Sequence, residues 1–274
     1  MKTRSNANVL AAALLGTLTL SALATQALAQ ESATDLAKKL SNPVAALISV
    51  PLQLNYDEKI GPAEGGQRWL LNVQPVVPIT LNEDWNVISR TIVPIVSQQD
   101  IAPGAGSQSG LGDIVQSVFF SPKAPTAGGW IWGAGPVLLL PTGSSDLLSA
   151  KKWGAGPTAV LLKQESGWTY GVLGNHIWSF AGDSTRSSIS TTFLQPFLTY
   201  TTPTAWTFGL NTESTYDWER KQWAVPINLS TFKITKVGDQ LLSVGGGVRY
   251  WADGPASGPH GWGARLVVTL LFPK

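Results

Sequence analysis

From residue 46 onward the chain runs in stretches of about a dozen residues in which apolar and polar side chains alternate. A period of two is the signature of a strand with one apolar face. The alternation predicts about twelve strands, near 46–57, 67–80, 84–96, 111–121, 129–141, 151–164, 167–180, 189–201, 205–217, 222–235, 240–252 and 261–272. The links between them differ by parity. Those at 58–66, 97–110, 142–150, 181–188, 218–221 and 253–261 are polar and mostly long; those at 82–84, 165–167, 202–204 and 238–239 are tight, and only 122–129 is longer. Long loops on one rim, short turns on the other and an even strand number are features of barrels that cross an outer membrane. The predicted fold is all-β: a closed antiparallel transmembrane β-barrel of about 12 strands.

Alternation also assigns faces. In the second strand Trp69, Leu71, Val73, Val77 and Ile79 oppose Arg68, Asn72 and Gln74; in the ninth, Trp206, Phe208 and Leu210 oppose Asn211, Glu213 and Asp217; in the twelfth, Trp262, Leu266, Val268 and Leu270 oppose Arg265 and Thr269. An Arg at the midplane of the lipid-facing surface costs about 2–4 kcal/mol, so the polar set is expected to face inward. The expected lumen-lining residues are Asn55, Asp57, Arg68, Asn72, Gln74, Arg90, Asn211, Glu213, Asp217, Arg249 and Arg265, with Ser49, Gln53, Gln195, Asn228 and Ser230 on the same face. The fourth and seventh strands read ambiguously, which leaves Asp113, Ser117 and His176 unplaced. Closure puts Arg249, Arg265, Asp57 and Arg68 on four successive strands. They form either a charged constriction that sorts solutes or an ion-pair brace.

The twelve tryptophans fall at strand ends. The indole prefers the boundary between hydrocarbon and water. Trp85, Trp130, Trp132, Trp168 and Trp206 are expected at the periplasmic rim, and Trp69, Trp153, Trp178, Trp218, Trp223, Trp251 and Trp262 at the outer rim.

Residues 1–29 read as a secretory signal peptide, with Lys2 and Arg4 before an apolar run and Ala27-Leu28-Ala29 as the cleavage site. Residues 30–45 are expected to form a short helix ended by Asn42-Pro43, with Leu36 and Leu40 on one face; it reads as a plug entering the barrel or a periplasmic tether, the tether being preferred. The barrel domain is 46–274. With no cysteine there is no disulfide, thiolate metal site or lipid-anchoring thiol. Losing Lys2 and Arg4 leaves 17 basic against 17 acidic residues, which gives no reason to expect nucleic acid as a partner. Charged residues are only 13%, about half the usual share of a soluble domain.

Little in the chain suggests catalysis, a cofactor or a metal. His176 and Ser179 are three apart and so on opposite faces, and His260 lies in a Gly/Pro loop. The repeat 132–136 and 153–157, both WGAGP, lacks the Gly-Lys-Ser/Thr of a phosphate loop and reads as close backbone approach.

The segments 81-LNEDWNVISRTIVPIV-96, 104-GAGSQSGLGDIVQSVFFSPK-123, 131-IWGAGPVLLLPT-142, 152-KWGAGPTAVLLKQ-164, 193-FLQPFLTYTT-202, 211-NTESTYDWE-219 and 261-GWGARL-266 resemble a family of bacterial outer-membrane transporters. That family is grouped with the MetA pathway of phenol degradation, and some relatives are mislabelled as neuromedin U. The resemblance implies an outer-membrane location and solute transport, with aromatic compounds as one class of cargo and no catalytic motif. The expected function is passive passage of small solutes through a Gram-negative outer membrane. The alternatives are an envelope lipid-modifying enzyme or a structural barrel with a closed lumen. Expected partners are outer-membrane lipid and lipopolysaccharide, a small-molecule solute, and the outer-membrane assembly machinery, which would read the terminal strand ending in Phe272. Oligomeric state is left open.

Overall fold

The computed structural model describes residues 33–272. The signal peptide, its cleavage site and Pro273-Lys274 lie outside the described residues. The strand segments are β1 (Ile48–Ile60), β2 (Gly66–Val73), β3 (Val76–Thr80), β4 (Trp85–Gln99), β5 (Ser107–Leu111), β6 (Ile114–Pro122), β7 (Trp130–Leu140), β8 (Lys152–Glu165), β9 (Trp168–Gly182), β10 (Ser190–Thr201), β11 (Trp206–Thr212), β12 (Ser214–Asp217), β13 (Gln222–Val237), β14 (Gln240–Asp253) and β15 (Gly261–Phe272). Three staves are interrupted, between β2 and β3 at Gln74-Pro75, between β5 and β6 at Gly112-Asp113, and between β11 and β12 at Glu213. Joining these pairs gives twelve antiparallel staves in one sheet. The sheet closes on itself, since β9 pairs β10, β10 pairs β11 and β12, and β1 pairs β15. The alternation in the sequence predicted this barrel, with most stave ends within two or three residues. No helix among the described residues is long and apolar enough to cross a membrane, and a barrel needs none.

The exterior is apolar. Val77, Ile79, Phe120, Leu161, Leu198, Leu210, Leu229, Val248 and Leu266 are exposed on outward faces. The interior is not uniformly polar, and here the rule that polar residues mark the inner face fails. Ile88, Phe119, Val160, Leu162 and Leu173 point inward and pack together with Val44. They lie on β4, β6, β8 and β9, which include the fourth and seventh staves whose faces the sequence left ambiguous. Both faces of these staves carry apolar residues, so period two has no contrast to show.

The inner apolar wall has an occupant. Residues 33–40 form a helix. Its Leu36 and Ala37 are buried with Leu47 against the inward-facing Ala205, Ile234 and Leu271. Gln164 Nε2 donates to the Lys38 carbonyl at 2.9 Å, and Thr34 Oγ1 donates to the Pro203 carbonyl at 3.0 Å. The turn at Asn42-Pro43 is held by Val44 N–H donating to Asn42 Oδ1 at 3.0 Å, which drives Val44 into the second cluster. From residue 33 on, the segment packs against inward-facing residues at the short-turn end. The amphipathic face carrying Leu36 and Leu40 finds its apolar surface inside the barrel.

The WGAGP repeat shapes β7 and β8. Pro136 and Pro157 stand opposite each other, and neither can donate to the ladder. Gly133 leaves space for Val44, whose Cγ1 would sit 3.1 Å from an added Cβ. At Gly156 the neighbouring backbone is closer still: an added Cβ would lie 1.7 Å from the His176 carbonyl oxygen. The backbone of β9 cannot retreat without breaking its pairing with β10. Gly156→Ala is therefore expected to abolish the heat-modifiable folded band on electrophoresis. Gly65→Ala, which meets nothing within 4 Å, is expected to leave that band intact.

Candidate functional site

The alternation of β1, β14 and β15 turns Asp57, Arg249 and Arg265 into the bore, and the ninth stave adds Glu213. The register with β13 is the same on both sides of the break, Thr212 opposite Ile227 and Thr215 opposite Ala224. Glu213 therefore keeps the parity of Asn211, and its carboxylate reaches across the lumen by simple alternation. Arg265 donates to it through both terminal nitrogens, at 2.9 and 2.6 Å, and through Nε to Asn55 Oδ1 at 2.8 Å. Arg249 lies 3.6 Å from Glu213 and 3.7 Å from Asp57. Arg68 donates to Asp57 Oδ2 at 2.9 Å. Asp57 is 0% exposed and Arg265 4%, so the belt is largely withdrawn from water. A buried, paired charge network is rigid, because losing any one partner leaves another charge stranded.

Arg90 behaves differently. Its guanidinium donates to Gln74 Oε1 at 2.9 Å. Among the described residues no carboxylate lies within salt-bridge distance of it. Among the described residues, four arginines, Arg68, Arg90, Arg249 and Arg265, and two carboxylates, Asp57 and Glu213, meet in this part of the lumen, and Lys39 of the N-terminal segment also lines it. Arg90, Arg265, Glu213, Gln74 and Asn211 line a cavity of about 290 Å³. Its floor is the N-terminal segment, through Leu40, Asn42, Pro43 and Leu47. Asn228 Nδ2 donates to Asn211 Oδ1 at 2.8 Å across the wall.

Of the other residues expected in the lumen, Asn72 shares the inward face of β2 with Arg68, but it is not among the residues lining the cavity. Asp217 does not join the belt. It caps the 218–221 turn by accepting from the Glu219 and Arg220 amides at 2.9 and 3.0 Å, and it pairs with Arg220. Its position at the stave end puts turn amides within closer reach than any lumen arginine.

Trp251 is a correction to the expected outer ring. It sits two residues from Arg249 and so shares the inner face. Its Nε1 donates to Asp57 Oδ1 at 2.9 Å, and Arg249 stacks over its ring at 4.7 Å. Tyr250, exposed and packed on Trp262, takes the outward position instead. Trp69, Trp153, Trp178, Trp218, Trp223 and Trp262 are exposed at the long-loop end, and Trp130, Trp132, Trp168 and Trp206 at the short-turn end. Trp85, less exposed, packs edge-on against Trp132.

Asp113, unplaced from sequence, organises a loop. At the break between β5 and β6 its carboxylate accepts from the Gly143 and Ala150 amides and from Ser149 Oγ, at 3.0, 2.7 and 2.7 Å. Inward-facing Gln98 reaches the Leu147 carbonyl at 3.4 Å, and Arg186 donates to the Asp146 and Ser149 carbonyls. The 141–151 loop is thereby drawn toward the long-loop mouth. A Ser or Asp in a Gly-rich link was the signal available; its partners are some thirty residues distant and invisible to local periodicity.

His176 shares the outward face of β9 with Trp178 and stacks on it at 4.0 Å. Its Nδ1 is 2.7 Å from Thr192 Oγ1, which also accepts from the Trp218 indole at 2.8 Å. Ser179 Oγ accepts from the Ile189 amide on the far side of the strand. Among the described residues no group of three His, Cys, Asp or Glu could hold a metal ion.

Neither protein-family models nor curated protein sequences give a match to this chain. Among solved structures it is similar to the COG4313 outer membrane channel from Pseudomonas putida F1, with 14% identity and a TM-score of 0.64, covering 83% of this chain and 96% of that one. It also aligns with the NanC porin at 12% identity and a TM-score of 0.49, covering 83% and 100% of the two chains. Outer membrane phospholipase A from Escherichia coli aligns at 9% identity and a TM-score of 0.47, covering 81% and 92%. At such identities the likeness to the first is one of fold: a closed outer-membrane-type barrel.

Proposed function

We propose that the chain is an outer-membrane channel for passive diffusion of small solutes. The observation that carries this reading is the cavity with an unneutralised arginine inside a closed barrel whose outer surface is apolar. The exposed indoles at both ends suit the two water lines of a bilayer, with lipid and lipopolysaccharide as neighbours. The terminal strand ending in Phe272 would be the segment read by the assembly machinery. The long loops would face outward, as they do in such barrels. Weakly polar and aromatic solutes fit the mixed apolar and charged interior, in keeping with the resemblance to transporters grouped with phenol degradation. An enzymatic role has less support: His176 Nε2 lies 3.4 Å from Ser190 Oγ, but its Nδ1 meets Thr192, itself held by Trp218, in place of an orienting carboxylate or amide.

One observation favours a second reading, a closed structural barrel: residues 33–47 fill part of the bore and most lumen charges are paired. Recordings from planar bilayers separate the two. Discrete conductance steps are expected. With three cations, Lys39, Arg90 and Arg265, and one carboxylate, Glu213, lining the cavity, the reversal potential in a tenfold KCl gradient is expected on the anion-selective side. Arg90→Glu is expected to move it toward cations. Silence across the full voltage range, from protein shown to be inserted, would favour the closed barrel.

A further inference from the structure

The cavity between the N-terminal segment and the arginine belt has polar groups without partners. Asn228 is 1% exposed, and its Oδ1 has no hydrogen-bond partner. Thr199 Oγ1 is likewise buried and unpartnered. Both residues line the cavity. A buried acceptor left open costs about 1–3 kcal/mol, a loss that a ligand donor recovers. Arg90, on the same cavity, donates to an amide oxygen and feels Glu213 only from beyond salt-bridge distance, while Lys39 also lines the cavity. Glu213 also lines it, but both of its oxygens are taken up by Arg265 and Arg249. Between these polar points the wall is apolar and aromatic, with Phe197, Phe232 and Val267. The volume, about 290 Å³, is at the lower end of small-molecule sites, about 300 Å³ and upward.

The geometry points to a binding site for a small hydroxylated monocarboxylate with an apolar body of single-ring size. Its carboxylate pairs with Arg90, its hydroxyl donates to Asn228 Oδ1, and its ring lies against Phe197 and Phe232. Charge selects the acid over the neutral analogue, because replacing the carboxylate leaves Arg90 facing an uncharged group. The open acceptor selects the hydroxylated acid over the plain one, since a site built for a hydroxyl is penalised when none arrives. The site deepens the channel reading and rests on it, as a station through which cargo passes.

Calorimetric titration of the full-length detergent-solubilised protein tests this, with 4-hydroxybenzoate, benzoate and 4-hydroxybenzyl alcohol as probes. Saturable binding of 4-hydroxybenzoate is expected, at least tenfold tighter than either other probe. Arg90→Gln is expected to remove that preference over the alcohol. Equal binding of all three probes by the wild-type protein, or no heat with 4-hydroxybenzoate at 10 mM, overturns the site. The wild-type comparison decides the matter even if the variant does not fold. Bilayer recordings on the same preparation keep the two readings apart. Conductance steps that 4-hydroxybenzoate neither blocks nor shortens sink the site and leave the channel. Binding without any conductance sinks the channel.

Discussion

Deleting residues 33–46 is expected to raise the unit conductance several-fold while the barrel still inserts. The helix at 33–40 and the turn after it fill the bore at the short-turn end, where Leu36 and Ala37 pack on Ala205, Ile234 and Leu271. Val44 takes a second seat among Ile88, Phe119 and Leu162. None of these contacts contributes to the hydrogen-bonded ladder, which closes through β1 and β15 without them. Removing the segment exposes apolar wall to water at a cost of about 1.5–3 kcal/mol for each large side chain uncovered. A closed β-ladder tolerates that loss. The same deletion removes the floor of the cavity, so saturable 4-hydroxybenzoate binding is expected to vanish with it. A conductance identical to wild type, from protein that shows the folded band, would mean that the segment does not obstruct the path. Val44→Asp gives an independent probe: it places a charge in an apolar seat and is expected to lift the segment without shortening the chain.

Glu213→Gln is expected to be the most destabilising neutral replacement in the lumen. The carboxylate is held by Arg265 at 2.6 and 2.9 Å and by Arg249 at 3.6 Å. Taking it away leaves two guanidinium groups in a low-dielectric interior with Asp57 and Asn55 as their remaining partners. Breaking a buried pair in this way costs about 3–5 kcal/mol. The double variant Glu213→Gln/Arg265→Met removes the stranded charge and is expected to recover a large part of the loss. Asp217→Asn serves as the contrast. Its partner Arg220 is exposed at the turn, and such a pair contributes about 0–1 kcal/mol. Urea unfolding in lipid vesicles, followed by tryptophan fluorescence, measures all three. Equal midpoints for Glu213→Gln and Asp217→Asn would show that the belt is hydrated and contributes little to holding the barrel.

The staves were legible because a barrel in lipid has a sharp contrast between its faces. Residues such as Leu210 and Asn211, adjacent in sequence and opposite in direction, report the sheet directly. The contrast disappears where the interior is apolar, so Phe119 and Leu173 hid the faces of β6 and β9. The N-terminal segment that makes that wall apolar is remote from it in sequence. The breaks at Gln74-Pro75, Gly112-Asp113 and Glu213 were not visible, although Pro75 and Gly112 are residues that interrupt a ladder. Trp251 was assigned by residue type, and its parity with Arg249 carried the better information. The charged belt was readable as a set, because closure puts β15 beside β1. Its pairing was not, since Glu213 reaches Arg265 across the lumen from a stave that is not its neighbour. Arg90, the arginine without a carboxylate, needed that pairing to be known first.

The seam of the barrel joins its first stave to its last. Ile48 lies opposite Phe272, and the register runs unbroken to Tyr56 opposite Ala264. A nascent chain therefore carries β1 with one open edge through almost the whole of translation and export, and the final dozen residues alone can cover it. Uncovered edges invite pairing with other chains and cannot enter hydrocarbon. A frameshift or stop codon even one stave early leaves two bare edges and no cylinder. Closure of this cylinder is consequently all-or-none at its last stave.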